Sequence, residues 1–346
     1  MMLPTIQIQP TATFAMTPAP DVHIHIDDRV RLMSAVLSVT RTIDELHTQR
    51  PHSAHAHARA TRKHLVAHKA HPAVQSLQTL IDQKAPMEAI FGYALRLKTP
   101  EFKLDHAPRW APAGWDEQLG DFFQKADLPG WWSEEQLVWE KSVSEVQRMF
   151  RKIDVRTFLK PFVGATTERF VFLPNICYPS EYEVGVRVNG DITCIAPPRA
   201  AWGDSPPWPF DEDAGHIYRA TIGQYARLLM TQHLNDCEDK LKEAAQTELP
   251  VSDAVRAQHP QWIDQFLSLF ITGVVAIYLE DHVSPIEAKA YTMIESKVHG
   301  NAMLPGVVSV LRRYLKDQAD GKYAAFCDFI PLFPKQLRVA KRVFAL

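Results

Sequence analysis

Residues 184–195 read VGVRVNGDITCI and decide what kind of fold this chain can form. Apolar side chains recur at every second position of Val184–Val188, and they alternate with polar ones at the start of Asp191–Ile195, which is the pattern of half-buried strands. Between the two runs, Asn189 and Gly190 are the residues that accept the positive φ angles of a two-residue type I′ turn. The stretch therefore predicts a β-hairpin.

Two further runs have strand character. Residues Val22–Ile26 alternate between apolar and polar side chains, and Phe170–Leu173 is a short buried run. The remaining segments carry helical periodicity, and Asp27 or Asp28 is placed to cap the first helix. The other predicted helices cover about 52–70, 73–83, 86–98, 116–126, 133–160, 214–247, 252–258, 261–281, 285–298, 304–319 and 334–342.

These elements predict an α+β fold that is mainly α-helical. A helical N-terminal half leads into a small central β-sheet with the hairpin, then into a long helix and a helical C-terminal subdomain. We place the boundaries at 1–130 for the N-terminal strand and helical region, 131–250 for the central helix, hairpin sheet and following long helix, and 251–346 for the C-terminal subdomain.

Composition excludes some classes of partner. The 346 residues include 38 basic and 40 acidic side chains, so the formal net charge is −2. A chain without a basic excess has no overall field for nucleic acid or an anionic membrane, and we expect neither as a partner.

The cysteines and the N-terminus indicate location. Four cysteines without a CxxC pair argue against a disulfide framework, a zinc ribbon and a thioredoxin site. The first basic residue is Arg29, so the N-terminus does not have the charged start of a secretory signal. The apolar stretch at 270–279 is shorter than a membrane span. We expect a cytoplasmic protein with reduced cysteines.

A histidine-rich segment is one candidate metal site. On a continuous helix His64, His68 and His71 would point to one side, as the imidazoles of zinc helices do, with Leu65 at the position of the HExxH glutamate. We expect no nearby acidic residue to act as a base or as a partner of these imidazoles, and Lys63 and Lys69 add positive charge. The pattern favours a solvated helix face, with zinc binding as the alternative.

Three other groups have a structural and a functional interpretation. Asp21, His23 and His25 resemble the HxH of amidohydrolases, but an exposed strand edge explains them without the eight strand–helix units of that fold. The acidic run 211–213 favours helix capping over acid–base catalysis. The basic tail favours a solvated helix face over a docking role, and comprises Lys335, Arg338, Lys341 and Arg342.

The order of segments resembles an uncharacterised bacterial family related to the thermolysin-like (gluzincin) HExxH zinc metallopeptidases. The resemblance covers about residues 50–335. The stretches that carry it are Lys69–Val74, the long helix at 133–160, Phe170–Leu173 with the hairpin, Lys297–Gly300, Leu311–Tyr314 and Phe329–Pro331.

In such peptidases a strand edge holds the substrate backbone, and the next long helix carries HExxH. Here that helix is 214–234, and the resemblance puts Ala220, Thr221 and Gln224 where the family has histidine, glutamate and histidine. No His-Glu dipeptide occurs in the chain, and the middle of the next helix carries no glutamate. These side chains cannot hold zinc or act as a base, so nothing would lower the pKa of a water molecule enough to make it a nucleophile at neutral pH.

The resemblance therefore implies a non-catalytic, zincin-like pseudopeptidase without a cofactor, which binds a peptide or protein in a cleft. The hairpin edge would pair with an extended peptide by strand addition. The Trp/Pro-rich loop after the hairpin would pack or hold a ligand. The cleft candidates are His216, Tyr218, Tyr225, Val186, Val188, Trp202 and Trp208.

Two alternatives stay open. The first is an active metal-dependent hydrolase that binds zinc through His216 with Glu280 or Asp281, or through the face of His64, His68 and His71. The second is a helical scaffold protein without a ligand cleft.

Overall fold

The structure is a computed structural model that describes residues 21–50, 52–151, 153–201, 203 and 205–344, with the backbone alone for 341–344. The predicted cleft residue Trp202 and the side chains of Lys341 and Arg342 lie outside the described residues.

Four short strands form one mixed sheet. Strands β1 (Val22–Ile24), β2 (Arg169–Pro174) and β4 (Asp191–Ala196) run parallel, and β3 (Val184–Val188) pairs antiparallel with β4. The order in the sheet is β1-β2-β4-β3, so β3 is an edge strand. The two predicted hairpin strands and the two further predicted strands are confirmed, and the chain is mainly helical with a small mixed sheet.

The predicted hairpin turn is also confirmed. Asn189 and Gly190 have φ angles of 54° and 81°, and Val188 stands opposite Asp191 across the turn. Both turn residues therefore adopt the left-handed backbone that a type I′ turn requires.

The chain between β1 and residue 125 forms a series of helices. Asp27 caps the first of them by accepting hydrogen bonds from the backbone N–H of Arg29 and Val30. The helices are α1 (Asp28–Leu37), α2 (Arg41–Gln49), α3 (Ala56–Leu65), α4 (Pro72–Asp82), α5 (Met87–Ala94) and α6 (Trp115–Lys125).

The long helix predicted over 133–160 is wrong, because the chain forms three helices there. They are α7 (Leu128–Glu134), α8 (Gln136–Phe150) and α9 (Val155–Val163). Asp154 starts α9 by accepting a hydrogen bond from the Thr157 backbone N–H at 2.8 Å. A side-chain cap of this kind begins a new helix with its own direction.

The helix predicted over 214–247 is likewise divided, into α10 (Ala214–Asn235) and α11 (Glu238–Ala245). The C-terminal helices follow the prediction more closely, with a short α16 that was not predicted. They are α12 (Asp253–Gln258), α13 (Trp262–His282), α14 (Pro285–Lys297), α15 (Leu304–Ala319), α16 (Phe326–Phe329) and α17 (Phe333–Phe344).

Helices α10 and α5 lie on opposite faces of the sheet at β3. A Cβ built on Gly185 would meet Gln224 of α10, whereas a Cβ built on Gly92 of α5 would lie 3.4 Å from Val186. Buried residues from Val22 to Leu337 form one connected core. The three-part division predicted above stays a prediction.

Helix α13 is long and apolar enough, by length and composition, to cross a membrane, with a mean hydropathy of 1.6 over its most apolar 18 residues. The statement that this part of the chain is too short was wrong, because the helix extends well beyond residues 270–279. In the structure 61% of that window is buried. The helix packs against α10, α14 and α15.

The expectation of reduced cysteines is wrong for one pair. A disulfide joins Cys237, just before α11, to Cys327 of α16, across 90 residues of sequence. Cys177 and Cys194 are free and buried.

Candidate functional site

The three positions assigned to the missing zinc motif lie on α10. Ala220 and Thr221 are fully buried, and the Thr221 hydroxyl donates to the Ile217 carbonyl at 2.8 Å. Neither side chain faces an open cleft. This part of α10 is therefore packed as core.

The third position, Gln224, connects α10 with the edge strand. Its Oε1 accepts hydrogen bonds from Nε and Nη2 of Arg227, at 3.0 and 2.9 Å. The same Nη2 donates to the Gly185 carbonyl at 3.0 Å. A Cβ at 185 would lie 2.4 Å from Gln224 Oε1, so any larger residue there would force Gln224 and Arg227 to shift.

The direction of the β3 backbone groups follows from two bonds of β4. The Gly190 and Ala196 carbonyls accept from residues of β2 and just after it, so the even-numbered residues of β4 face β2. The odd-numbered ones face β3, and their partners there are Val184, Val186 and Val188. In an antiparallel pair, the backbone groups of successive residues point alternately toward the partner strand and away from it. Gly185 and Arg187 therefore turn their N–H and C=O groups away from the sheet.

A groove of about 280 Å³ runs along this open edge. Val186 and Val188, two of the predicted cleft residues, line it together with α5, Trp110 and Arg227. Among these outward backbone groups, the Gly185 carbonyl accepts a hydrogen bond from Arg227 within the described residues.

The groove is basic. Three guanidinium groups line it, those of Arg96, Arg187 and Arg227, against the one carboxylate of Glu88. Glu88 lies 3.7 Å from Arg227, and Arg187 pairs with Glu168 at 2.5 Å. The exposed Arg96 side chain forms no hydrogen bond to any residue that the structure describes.

His216, the predicted cleft imidazole, is enclosed. Arg219 donates to its Nδ1 at 3.1 Å, so the ring proton is on Nε2, which contacts the Pro197 carbonyl at 3.1 Å. Burial, together with the charge of Arg219, lowers the pKa of His216. Both ring nitrogens are therefore occupied in the neutral form.

The acids proposed as partners of His216 have other contacts. Arg312 binds Glu280 at 2.7 Å and Asp281 at 2.6 Å. In the acidic run, Asp213 caps α10 through the His216 backbone N–H, as predicted, and also pairs with Arg199.

The two predicted cleft tyrosines lie in the core. Tyr218 donates to the Met149 carbonyl and Tyr225 to the Val171 carbonyl, each at 2.7 Å. Burial raises the pKa of Tyr218 to about 12. Trp208 is 40% exposed, and its backbone N–H donates to the Arg199 carbonyl, so it belongs to the loop before α10.

The predicted face of three histidines does not form, because α3 ends at Leu65. His64 contacts the Ala126 carbonyl at 3.0 Å and stacks on Trp131. His71 caps α4 and contacts Asp121 at 3.0 Å, so the statement that no acid is near was wrong.

The other sequence candidates are surface features. His23 of β1 and His25 just after it are exposed, whereas Asp21 accepts a hydrogen bond from the Arg156 backbone N–H at 2.8 Å. In the basic tail Lys335 and Arg338 are exposed, in agreement with a solvated helix face.

A buried network around His57 was not predicted from the sequence. Trp139 donates its indole N–H to His57 Nε2 at 3.0 Å, so Nδ1 carries the proton toward Glu135 at 2.7 Å. Burial lowers the pKa of His57, although the hydrogen bond to Glu135 opposes that shift. His57 lies 78 residues from Glu135 and 82 from Trp139, so no local motif connects it with them.

One group of potential metal ligands occurs among the described residues. His233, Cys237 and Cys327 bring one ligand atom each within 4.8 Å of the others. The sequence analysis did not single out this group, because Cys327 is 90 residues from Cys237.

No family model, curated protein or solved structure matches this chain.

Proposed function

We propose that this protein is a non-catalytic, zincin-like protein that binds an extended peptide by strand addition along β3. The observation that carries the proposal is the outward direction of the Gly185 and Arg187 backbone groups into a groove. Backbone hydrogen bonds supply the affinity in this mode, and pockets for alternate side chains supply the specificity.

The charge of the groove selects the peptide. Of its three guanidinium groups, those of Arg187 and Arg227 pair with Glu168 and Glu88, so the exposed Arg96 favours a segment with an acidic side chain. Val186 and Val188 add an apolar surface for the residues between them. The expected ligand is therefore an extended segment in which acidic and apolar side chains alternate.

The proposal of a non-catalytic role rests on α10. Ala220 and Thr221 carry no group that titrates near neutral pH, and the Gln224 amide orients Arg227. The zincin-like assignment is supported by the order of the elements, with an edge-strand hairpin followed by a long helix on the sheet.

A proline in the edge strand tests the proposal. Arg187→Pro removes an N–H that points away from β4, so the hairpin ladder stays intact. Arg187→Ala is the matched control, since it also loses the side chain and the pair with Glu168 but keeps the N–H.

The probe is a set of short synthetic peptides with alternating acidic and apolar residues, measured by fluorescence anisotropy. We expect Arg187→Pro to bind at least about tenfold more weakly than Arg187→Ala, the effect of one lost hydrogen bond. Equal affinities would contradict strand addition. Cleavage of the peptides would favour the hydrolase, and no binding by the wild type would favour the scaffold.

A further inference from the structure

We propose that His233, Cys237 and Cys327 form a zinc site when the disulfide between the two cysteines is reduced. The site is remote in sequence from β3 and does not depend on the proposed peptide groove. It would connect the end of α10 with α16, the same two segments that the disulfide joins.

The backbone already presents the three side chains to one point. His233 lies in the last turn of α10, and Cys237 follows four residues later, one turn further on. Cys327 approaches from α16, and its Cα lies 5.6 Å from that of Cys237. At this Cα separation, rotation of the two reduced cysteine side chains can move their sulfur atoms apart. The His233 imidazole already lies beside Cys327.

The distances agree with zinc coordination. Tetrahedral zinc, with Zn–S of about 2.3 Å and Zn–N of about 2.0 Å, places a sulfur and a nitrogen ligand about 3.5 Å apart. His233 Nε2 lies 3.4 Å from Cys327 Sγ. Thiolate and imidazole ligands bind zinc well, whereas magnesium and calcium prefer oxygen ligands.

A fourth ligand has room to bind. A cavity of about 250 Å³ lies beside the cluster, lined by His233, Phe326, Lys160 and Gln318. Zinc sites with three protein ligands bind water or another small molecule at the fourth position. We therefore expect an open site rather than a closed one of four protein ligands.

The disulfide becomes a zinc site in two steps, reduction and metal binding. A dithiol reductant transfers two electrons and two protons to the Cys237–Cys327 disulfide and becomes a disulfide itself. The two thiols then release their protons as Zn²⁺ binds, and His233 contributes its neutral nitrogen. Oxidation by a disulfide reverses the first step and expels the metal.

Zinc retention by the full chain tests the site. The protein is reduced with a phosphine, incubated with Zn²⁺, desalted, and analysed for zinc by mass spectrometry. We expect one zinc per chain in the wild type. Cys237→Ser, Cys327→Ser and His233→Gln should each weaken binding by more than the roughly 10–100-fold that outer-shell changes cost.

Matched controls separate this site from casual binding. Cys177→Ala removes a buried thiol away from the cluster, and His299→Gln removes an exposed imidazole, so both should retain zinc. Retention of zinc in all three cluster variants, or its absence from the reduced wild type, overturns the proposal and leaves a plain disulfide.

A second measurement uses the wild type alone, in case a variant does not fold. Co²⁺ added to the reduced protein should give the near-ultraviolet charge-transfer band of cobalt–thiolate bonds, and oxidation should abolish it. A cobalt complex without that band contradicts thiolate coordination, whatever the variants do.

Discussion

Gln224 lies directly over Gly185, so a Cβ at position 185 would come within 2.4 Å of the Gln224 Oε1 atom. This contact lets Arg227 reach the Gly185 carbonyl and fixes the distance between α10 and the edge strand. A side chain of α10 thereby reaches the open edge of the sheet.

Gly185→Ala should destabilise the fold by about 1–3 kcal/mol, because Gln224 and Arg227 must move away. Urea unfolding measures the free energy. Gly92→Ala is the control, since its Cβ would keep an ordinary 3.4 Å contact with Val186. Adding Gln224→Ala to Gly185→Ala should recover part of the loss, and purely additive effects would contradict direct contact.

Proline should destabilise the fold much more at Val186 than at the neighbouring position Arg187 of β3. Val186→Pro removes an N–H that bonds to β4 and should cost about 3 kcal/mol or more. Arg187→Pro removes an outward N–H and should cost about 1 kcal/mol or less beyond Arg187→Ala. Thermal unfolding compares the three variants, and similar losses for the two prolines would show that the outward assignment is wrong.

Acid should destabilise the protein through His55. Its Nδ1 caps α3 by accepting from the His57 backbone N–H at 3.2 Å. Burial, and then the charges of His57 and Arg59, lower the pKa of His55 from 6.5 to about 4. The unfolded chain therefore takes up the proton first, so this contribution is complete above pH 6.5 and is lost as the pH falls toward 4.

His55→Asn tests this pH dependence, because the asparagine oxygen keeps the cap but does not titrate. We expect the free energy of unfolding to fall less between pH 7 and pH 5 in this variant than in the wild type. His52→Asn changes an exposed neighbour and should follow the wild type. An unchanged slope in His55→Asn would falsify the role of the cap.

Trp139→Phe should cost about 1–2 kcal/mol, because His57 Nε2 loses its indole donor inside the core. Trp208→Phe alters an exposed indole and should cost less. Denaturant unfolding of both variants provides the comparison, and equal losses would argue against a structural role for the His57 network.

The local elements could be predicted from neighbouring residues alone. Asn189-Gly190 specifies the turn and Asp27 the first helix cap, because each acts on backbone groups within three residues. Apolar periodicity placed most helices, but it joined 133–160 into one because periodicity continues across the break that Asp154 makes.

The contacts between chemical groups from distant segments became visible in the folded chain. Arg227 reaches Gly185 across 42 residues, and Cys237 meets Cys327 across 90. No local pattern encodes such pairs, since they depend on how α10 packs on the sheet and how α16 folds back against its end. The fold class was thus predictable from the sequence, whereas the groove and the His233 cluster were not, because both are made by contacts between distant segments.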